Sequence, residues 1–169
     1  MSVDSFKFLP RIIAAVYQMD ECRPELPIPW TPLARPLSEC TFGLVSSGGF
    51  YQRGVQPPFD LQRERAEPTW GDPGYRVIPR DITPAEIGVS HLHLSPRDLL
   101  EDCNILLPID RFDELVAAGR IGGLAHRAYS FMGYQGYPPD TTAWQETYGP
   151  QVAEAFKAVG VQCVLLTPA

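Results

Sequence analysis

Apolar residues along this chain come in short runs, set at two different spacings. Thr41 to Val45, Val89 to Leu94 and Val161 to Leu166 have strand length, with alternating or β-branched apolar positions. A further strand is predicted within Ile121 to Phe131. Helical spacing marks Asp4 to Met19, where Ile12, Ile13, Val16 and Tyr17 share a broad apolar face. Ser95 and Pro96 open a helical turn that runs to Glu101, with Ser95 as its N-cap. Asp110 is placed to cap a helix from Arg111 to Ala118, which Gly119 ends. Thr142 caps a last helical region, which Gly149-Pro150 interrupts. Gln151 to Val159 then leads to Gly160, a left-handed stop, and into the final strand. That strand lacks polar alternation, as one covered on both faces would. Alternating short strands and helices predict an α/β fold. Its sheet is mostly parallel and flanked by helices, Rossmann or flavodoxin-like, with long proline-rich loops.

Proline changes the picture at two places. Arg23 to Pro36 holds five prolines and is excluded from regular structure. It reads as a surface tether pinned by Trp30 and Leu33, so residues 1–40 form an N-terminal helix and tether. Phe59 to Arg80 reads as a long irregular excursion, a functional loop or a cover. Residues 41–169 are then the sheet core of a single domain. A net charge of −6 and the lack of a basic patch exclude nucleic acid and anionic membrane as partners. No run approaches the roughly 20 apolar residues of a membrane span, and Phe6 to Tyr17 lacks a signal cleavage site. The cysteines Cys22, Cys40, Cys103 and Cys163 form no paired motif, which reads as reduced thiols in a cytoplasmic protein.

Candidate chemistry follows from where strands end, because α/β sheets bind ligands beyond their carboxyl edge. Ser47, Gly48 and Gly49 follow the first strand and read either as a plain turn or as a ligand loop. His91 is either a proton donor or anion binder, or a hydrogen-bonded structural histidine. Asp102 and Asn104 are either pocket residues or caps, and Tyr129 and Ser130 precede another strand end. His93 and His126 are single imidazoles at spacings unsuited to a metal site, so no metal is expected.

The order of several motifs carries a resemblance. They are P-W-T-P-L-A-R-P-L-S-E-C (residues 29–40), Q-P-P-F-D (56–60), G-D-P-G-Y-R-V-I-P (71–79) and V-S-H (89–91). E-D-C-N-I-L-L-P-I-D-R-F-D-E-L (101–115), G-R-I-G-G-L-A (119–125), Y-S-F-M-G-Y (129–134) and V-L-L-T-P (164–168) complete them. In these, residues 28–169 resemble the selenoprotein B family of glycine, sarcosine, betaine and D-proline reductases, in particular its short stand-alone members.

The resemblance implies that the strand matching Val164 to Pro168 runs into a selenocysteine or cysteine redox centre. It therefore implies that this chain ends just before its redox residue, at a selenocysteine codon read as a stop, with an arbitrary sequence boundary or a true stop in a degenerate copy as the alternatives. A helix and a strand of the family pattern are then missing after Ala169. The implied chemistry is selenol- or thiol-based reductive cleavage of a small amino-acid-like substrate. The implied partners are a pyruvoyl-bearing subunit or a thioredoxin-like electron donor, and the uncovered sheet predicts a homo-oligomer. The alternative is a non-catalytic binding or regulatory subunit that keeps the family pocket. A third reading, a thiol oxidoreductase using Cys103, lacks any paired motif.

Overall fold

A computed structural model of the protein describes residues 30–169 together with Lys7, Pro10, Arg11, Ile12, Ala14 and Ala15. The chain forms two compact units, Met1–Ala34 and Arg35–Ala169. In the first, Arg11, Ile12, Ala14 and Ala15 are helical, and the Ala14 N–H donates to the Pro10 carbonyl at 2.9 Å. The rest of the helix expected from Asp4 to Met19 lies outside the described residues. Trp30 and Leu33, expected to pin the tether, are 84% and 56% exposed.

The second unit is built on β1 (Thr41–Ser46), which pairs in parallel with three strands. Val45 and Ser46 pair at once with β6 (Arg127–Phe131) and β7 (Cys163–Thr167), so those two strands flank β1. β5 (Gly123–Leu124) pairs with the start of β1, and β3 (Tyr75–Pro79) runs antiparallel along β6. The sheet is thus α/β and mostly parallel, with one antiparallel edge strand. β2 (Phe50–Gln52) and β4 (Ile87–Val89) make a separate antiparallel pair.

Alternate residues of the sheet serve two cores, because successive side chains in a strand point to opposite faces. Leu44, Ile78, Leu124 and Ala128 pack with Leu99, Leu107 and Ile109 on one face. Leu99 comes from α2 (Pro96–Glu101) and Ile109 from α3 (Ile109–Ala117). Tyr129 and Phe131 pack with Val152 and Phe156 of α4 (Gly149–Ala158) on the other. Gly43 makes room for α4, since a Cβ there would stand 2.5 Å from the Phe156 ring.

Several expected elements differ. Phe59 to Arg80 is not irregular throughout: it holds α1 (Leu61–Ala66) and β3. Asp60 caps α1 by accepting the Arg63 N–H at 2.9 Å. The strand expected from Val89 to Leu94 stops at Val89, because Ser90 N–H turns to the Gly49 carbonyl and His93 N–H to the His91 side chain. Ile121 to Phe131 breaks into β5 and β6. Ser95 stands at the N-cap position of α2 without a capping side-chain bond. α3 begins at Ile109, so Asp110 lies inside its first turn. Gly149-Pro150 does not interrupt the last helix. Residues Trp144–Tyr148 form a π-turn in which Gly149 N–H reaches back to the Trp144 carbonyl, and the helix continues through Pro150, which has no N–H to place. Finally, β7 is not covered on both faces. It pairs only with β1, and Val164 and Leu166, on the α4 side, are 45% and 69% exposed.

Candidate active site

The carboxyl ends of β1, β6 and β7 meet around Gly133. A Cβ on Gly133 would stand 2.8 Å from the Ala169 carbonyl oxygen, 3.2 Å from that of Ser47 and 3.3 Å from His91 Nε2. The three parallel strands and the loop after β4 therefore converge on one point, and only the lack of a side chain leaves it open.

Ser47 reaches this point because β1 and β7 stay paired to their ends. Its N–H donates to the Thr167 carbonyl at 3.1 Å, and its Oγ accepts the Ala169 N–H at 2.8 Å. Thr167 is fixed in turn by donating from Oγ1 to the Leu106 carbonyl at 2.6 Å.

His91 is buried, 7% exposed. Its Nδ1 accepts the His93 N–H at 3.1 Å, so the imidazole carries its proton on Nε2. That Nε2 is buried and has no hydrogen-bond partner. A buried donor without a partner is costly to leave unmade, and such a group marks a place where a ligand atom fits. Burial first, and then the neighbouring His93, push the His91 pKa below its usual value. The ring is held neutral as an N–H donor, suited to an oxyanion, thiolate or selenolate. Its Nδ1 carries the hydrogen bond that the structural reading requires, while its Nε2 lies unpartnered beside Gly133.

The remaining expected residues divide. Gly48 and Gly49 link β1 to β2, and Gly48 forms a β-bridge with Met132. Gly49 has φ of 69°, and a Cβ there would stand 2.1 Å from the Ser90 carbonyl. Its N–H donates to the Phe131 carbonyl at 2.9 Å, stapling the loop to β6. Ser130 is fully buried and accepts the Phe50 N–H at 2.8 Å, so it fixes the same loop. Tyr129 sits in the α4 core, edge-on to Phe156 with ring centroids 5.0 Å apart, away from the strand ends. Asp102 and Asn104 are caps. Asn104 N–H donates to Asp102 at 2.9 Å, and Asn104 Oδ1 accepts the Asp110 N–H at 3.0 Å. Hydrogen bonds from Asn104 hold Asp102 below the usual carboxylate range. Cys103 lies beside them, and burial, with Asp110 and Asp102, pushes its thiol up, away from the thiolate a nucleophile needs.

Sequence reasoning missed Gly133, and Gln135 behind it. Gln135 is buried, and its Nε2 donates to the carbonyls of Asp72 and Met132 at 3.0 and 2.9 Å, which sets the loop that carries Gly133. Beside the site, an apolar groove of about 620 Å³ runs between β7 and the π-turn, lined by Val45, Phe131, Trp144, Leu166 and Pro168. No helix among the described residues is long and apolar enough to cross a membrane.

The sequence matches the family described as Glycine/sarcosine/betaine reductase selenoprotein B over residues 15–169. It is 34% identical over 138 residues to the D-proline reductase subunit gamma of Acetoanaerobium sticklandii, covering 82% of this chain and 52% of that protein. It is 27% identical over 140 residues to the Glycine reductase complex component B subunit gamma of Carboxydothermus hydrogenoformans, covering 83% of this chain and 30% of that protein. The chain thus spans about half the length of one relative and less than a third of the other, and both are named as subunits. No solved structure matches. With the family matched over nearly the whole sequence, the chain belongs to the glycine/sarcosine/betaine reductase selenoprotein B family.

Proposed function

We propose that this chain forms the strand-end part of a reductase site, where a selenol or thiol reductively cleaves a small amino-acid-like substrate such as D-proline or glycine. The observation that carries this reading is the buried, unpartnered His91 Nε2–H beside Ser47, Gly133 and Ala169. The redox residue, a selenocysteine or cysteine expected to follow Ala169, supplies the anionic nucleophile of this chemistry. The residues present fit such a group: a neutral N–H donor, a bare glycine and a serine that fixes the adjoining backbone.

Each residue has a distinct role. Ser47 Oγ holds Ala169 N–H and so aims the chain that leaves β7. His91 donates a hydrogen bond to negative charge at the reacting atoms. Gly133 keeps the space free, and the apolar groove takes the hydrocarbon part of the substrate or a covering segment. A pyruvoyl-bearing subunit or a thioredoxin-like electron donor, a homo-oligomer over the exposed side of β7, a flavodoxin-like sheet and a cytoplasmic location belong to the same proposal.

Peptide mapping and intact mass of the native protein test it. Selenocysteine or cysteine immediately after Ala169 is expected. Any other residue there, or a native chain ending at Ala169, would sink the reading and leave a subunit that binds without reducing.

A further inference from the structure

Beside the site lies a second imidazole with a buried partner. Glu64, on α1, has a side chain only 2% exposed, and neither of its carboxylate oxygens has an aligned hydrogen-bond donor. A carboxylate in such a place is costly unless a positive group stands close. The nearest basic group is His93 Nε2, 3.3 Å from Glu64 Oε1, while 55% of the His93 side chain remains exposed. The His93 ring lies 4.7 Å from the Tyr134 ring and 5.9 Å, edge-on, from that of His91. His93 therefore meets a buried carboxylate on one side, solvent on another and the rings of His91 and Tyr134 on a third.

The proposed chemistry makes a demand that His91 does not meet. When the selenolate or thiolate displaces nitrogen, a C–Se or C–S bond forms as the C–N bond breaks, and reduction follows when a thiol resolves that adduct. Nitrogen leaves with the bonding electron pair and, held as an uncharged amine or imine, takes up one proton. His91 accepts the His93 N–H at Nδ1, so its one proton is on Nε2, and giving it up would leave an imidazolate. His91 supplies a hydrogen bond, and the proton comes from elsewhere. His93 is the adjacent imidazole. Glu64 Oε1 stands 3.3 Å from Nε2 without an aligned hydrogen bond, and this proximity favours the tautomer with its proton on Nε2 and Nδ1 left to exchange protons.

We propose, on the basis of the reductase reading, that Glu64 and His93 form a carboxylate–imidazole pair in which His93 protonates the leaving nitrogen and Glu64 positions it. Besides His93, the charges acting on Glu64 are Arg65 on its own helix and Asp72 on the following loop.

Two measurements decide this. In the native assembly, Glu64→Gln and His93→Gln should each lower kcat on D-proline or glycine by about tenfold or more, with KM within about twofold, and both should remove one limb of the pH profile. Glu64→Asp should recover part of the loss. An unchanged pH profile with kcat within about twofold of wild type overturns the proposal. The second measurement needs no turnover. Nitrogen-15 spectra of the full chain should show neutral His93 protonated at Nε2, and mixed tautomers in Glu64→Gln. An identical His93 spectrum in that variant overturns the pair. If the wild-type assembly cleaves neither compound, the reductase reading and proton delivery fall together, and the spectra still show whether Glu64 holds His93. Glu64→Gln is near-isosteric and removes a buried charge, so its thermal midpoint should hold or rise. Should it fall steeply instead, the pair is structural, and an unchanged pH profile in His93→Gln, at an exposed position, confirms that.

Discussion

Gly133 decides at the scale of one residue whether the site is open. A methyl group there meets the Ala169 and Ser47 carbonyls and His91 Nε2 together, two of them backbone groups that cannot swing aside. Gly133→Ala should therefore lose turnover by about tenfold or more while costing only about 1–3 kcal/mol of stability, read from steady-state rates and urea unfolding. His91 makes a prediction with a defined sign. Its folded pKa is depressed by burial, so its stabilising contribution is full above the unfolded value of about 6.5 and is lost as pH falls below it. Glu64 has the opposite sign. Burial raises its pKa, so its cost is full at neutral pH and is relieved as pH falls. Between about pH 7 and 4, His91→Gln should flatten the acid decline in unfolding free energy and Glu64→Gln should steepen it. The sequence exposes Ser47 because it follows a strand-like run and His91 because it is an imidazole within one. It conceals Glu64, whose partner is 29 positions away, and Gly133, whose neighbours come from three strands. Asp102, Asn104, Tyr129 and Ser130 are polar residues near strand or helix ends, and only packing shows that their partners are the protein itself.

Elements were legible where local signals agree. β1 and α2 stand where apolar spacing puts them, and Gly119 and Gly160, with φ of 64° and 73°, follow their helices as left-handed stops. The errors have physical causes. α1 was hidden because prolines on both sides of Leu61–Ala66 mark the region as loop, although Asp60 is a sound N-cap for it. The π-turn defeats the rule that Gly-Pro breaks a helix, since an extra residue in the turn removes the bond that Pro150 lacks. β7 reads as buried because it is apolar on both faces, yet it stands at the sheet edge. The packing of α4 on β1 gives a sharper test. Gly43→Ala forces a methyl to 2.5 Å from the buried Phe156 ring. The cost should be about 1–3 kcal/mol, visible as a lower urea midpoint with an unchanged slope, and a neutral substitution would show that α4 rides further from the sheet.

For the whole molecule, the exposed α4 side of β7 is the feature that asks for a partner. Leu166 and Val164 are apolar and outward, Leu166 lines the groove, and the proposed homo-oligomer would cover them. Leu166→Lys should leave the chain folded and shift sedimentation toward the monomer, whereas an unchanged assembly would place the interface elsewhere. The relatives are named as subunits of a D-proline reductase and of a glycine reductase complex; on the proposed reading this chain supplies one wall of such a site, with His91 on it. The most direct measurement is turnover of D-proline and glycine by the native assembly with a dithiol as reductant, wild type against His91→Leu, which carries no donor. Cleavage of one of them by the wild type and a loss of about a hundredfold in kcat on removing the Nε2–H donor are expected. Wild-type rates in His91→Leu would contradict the donor role.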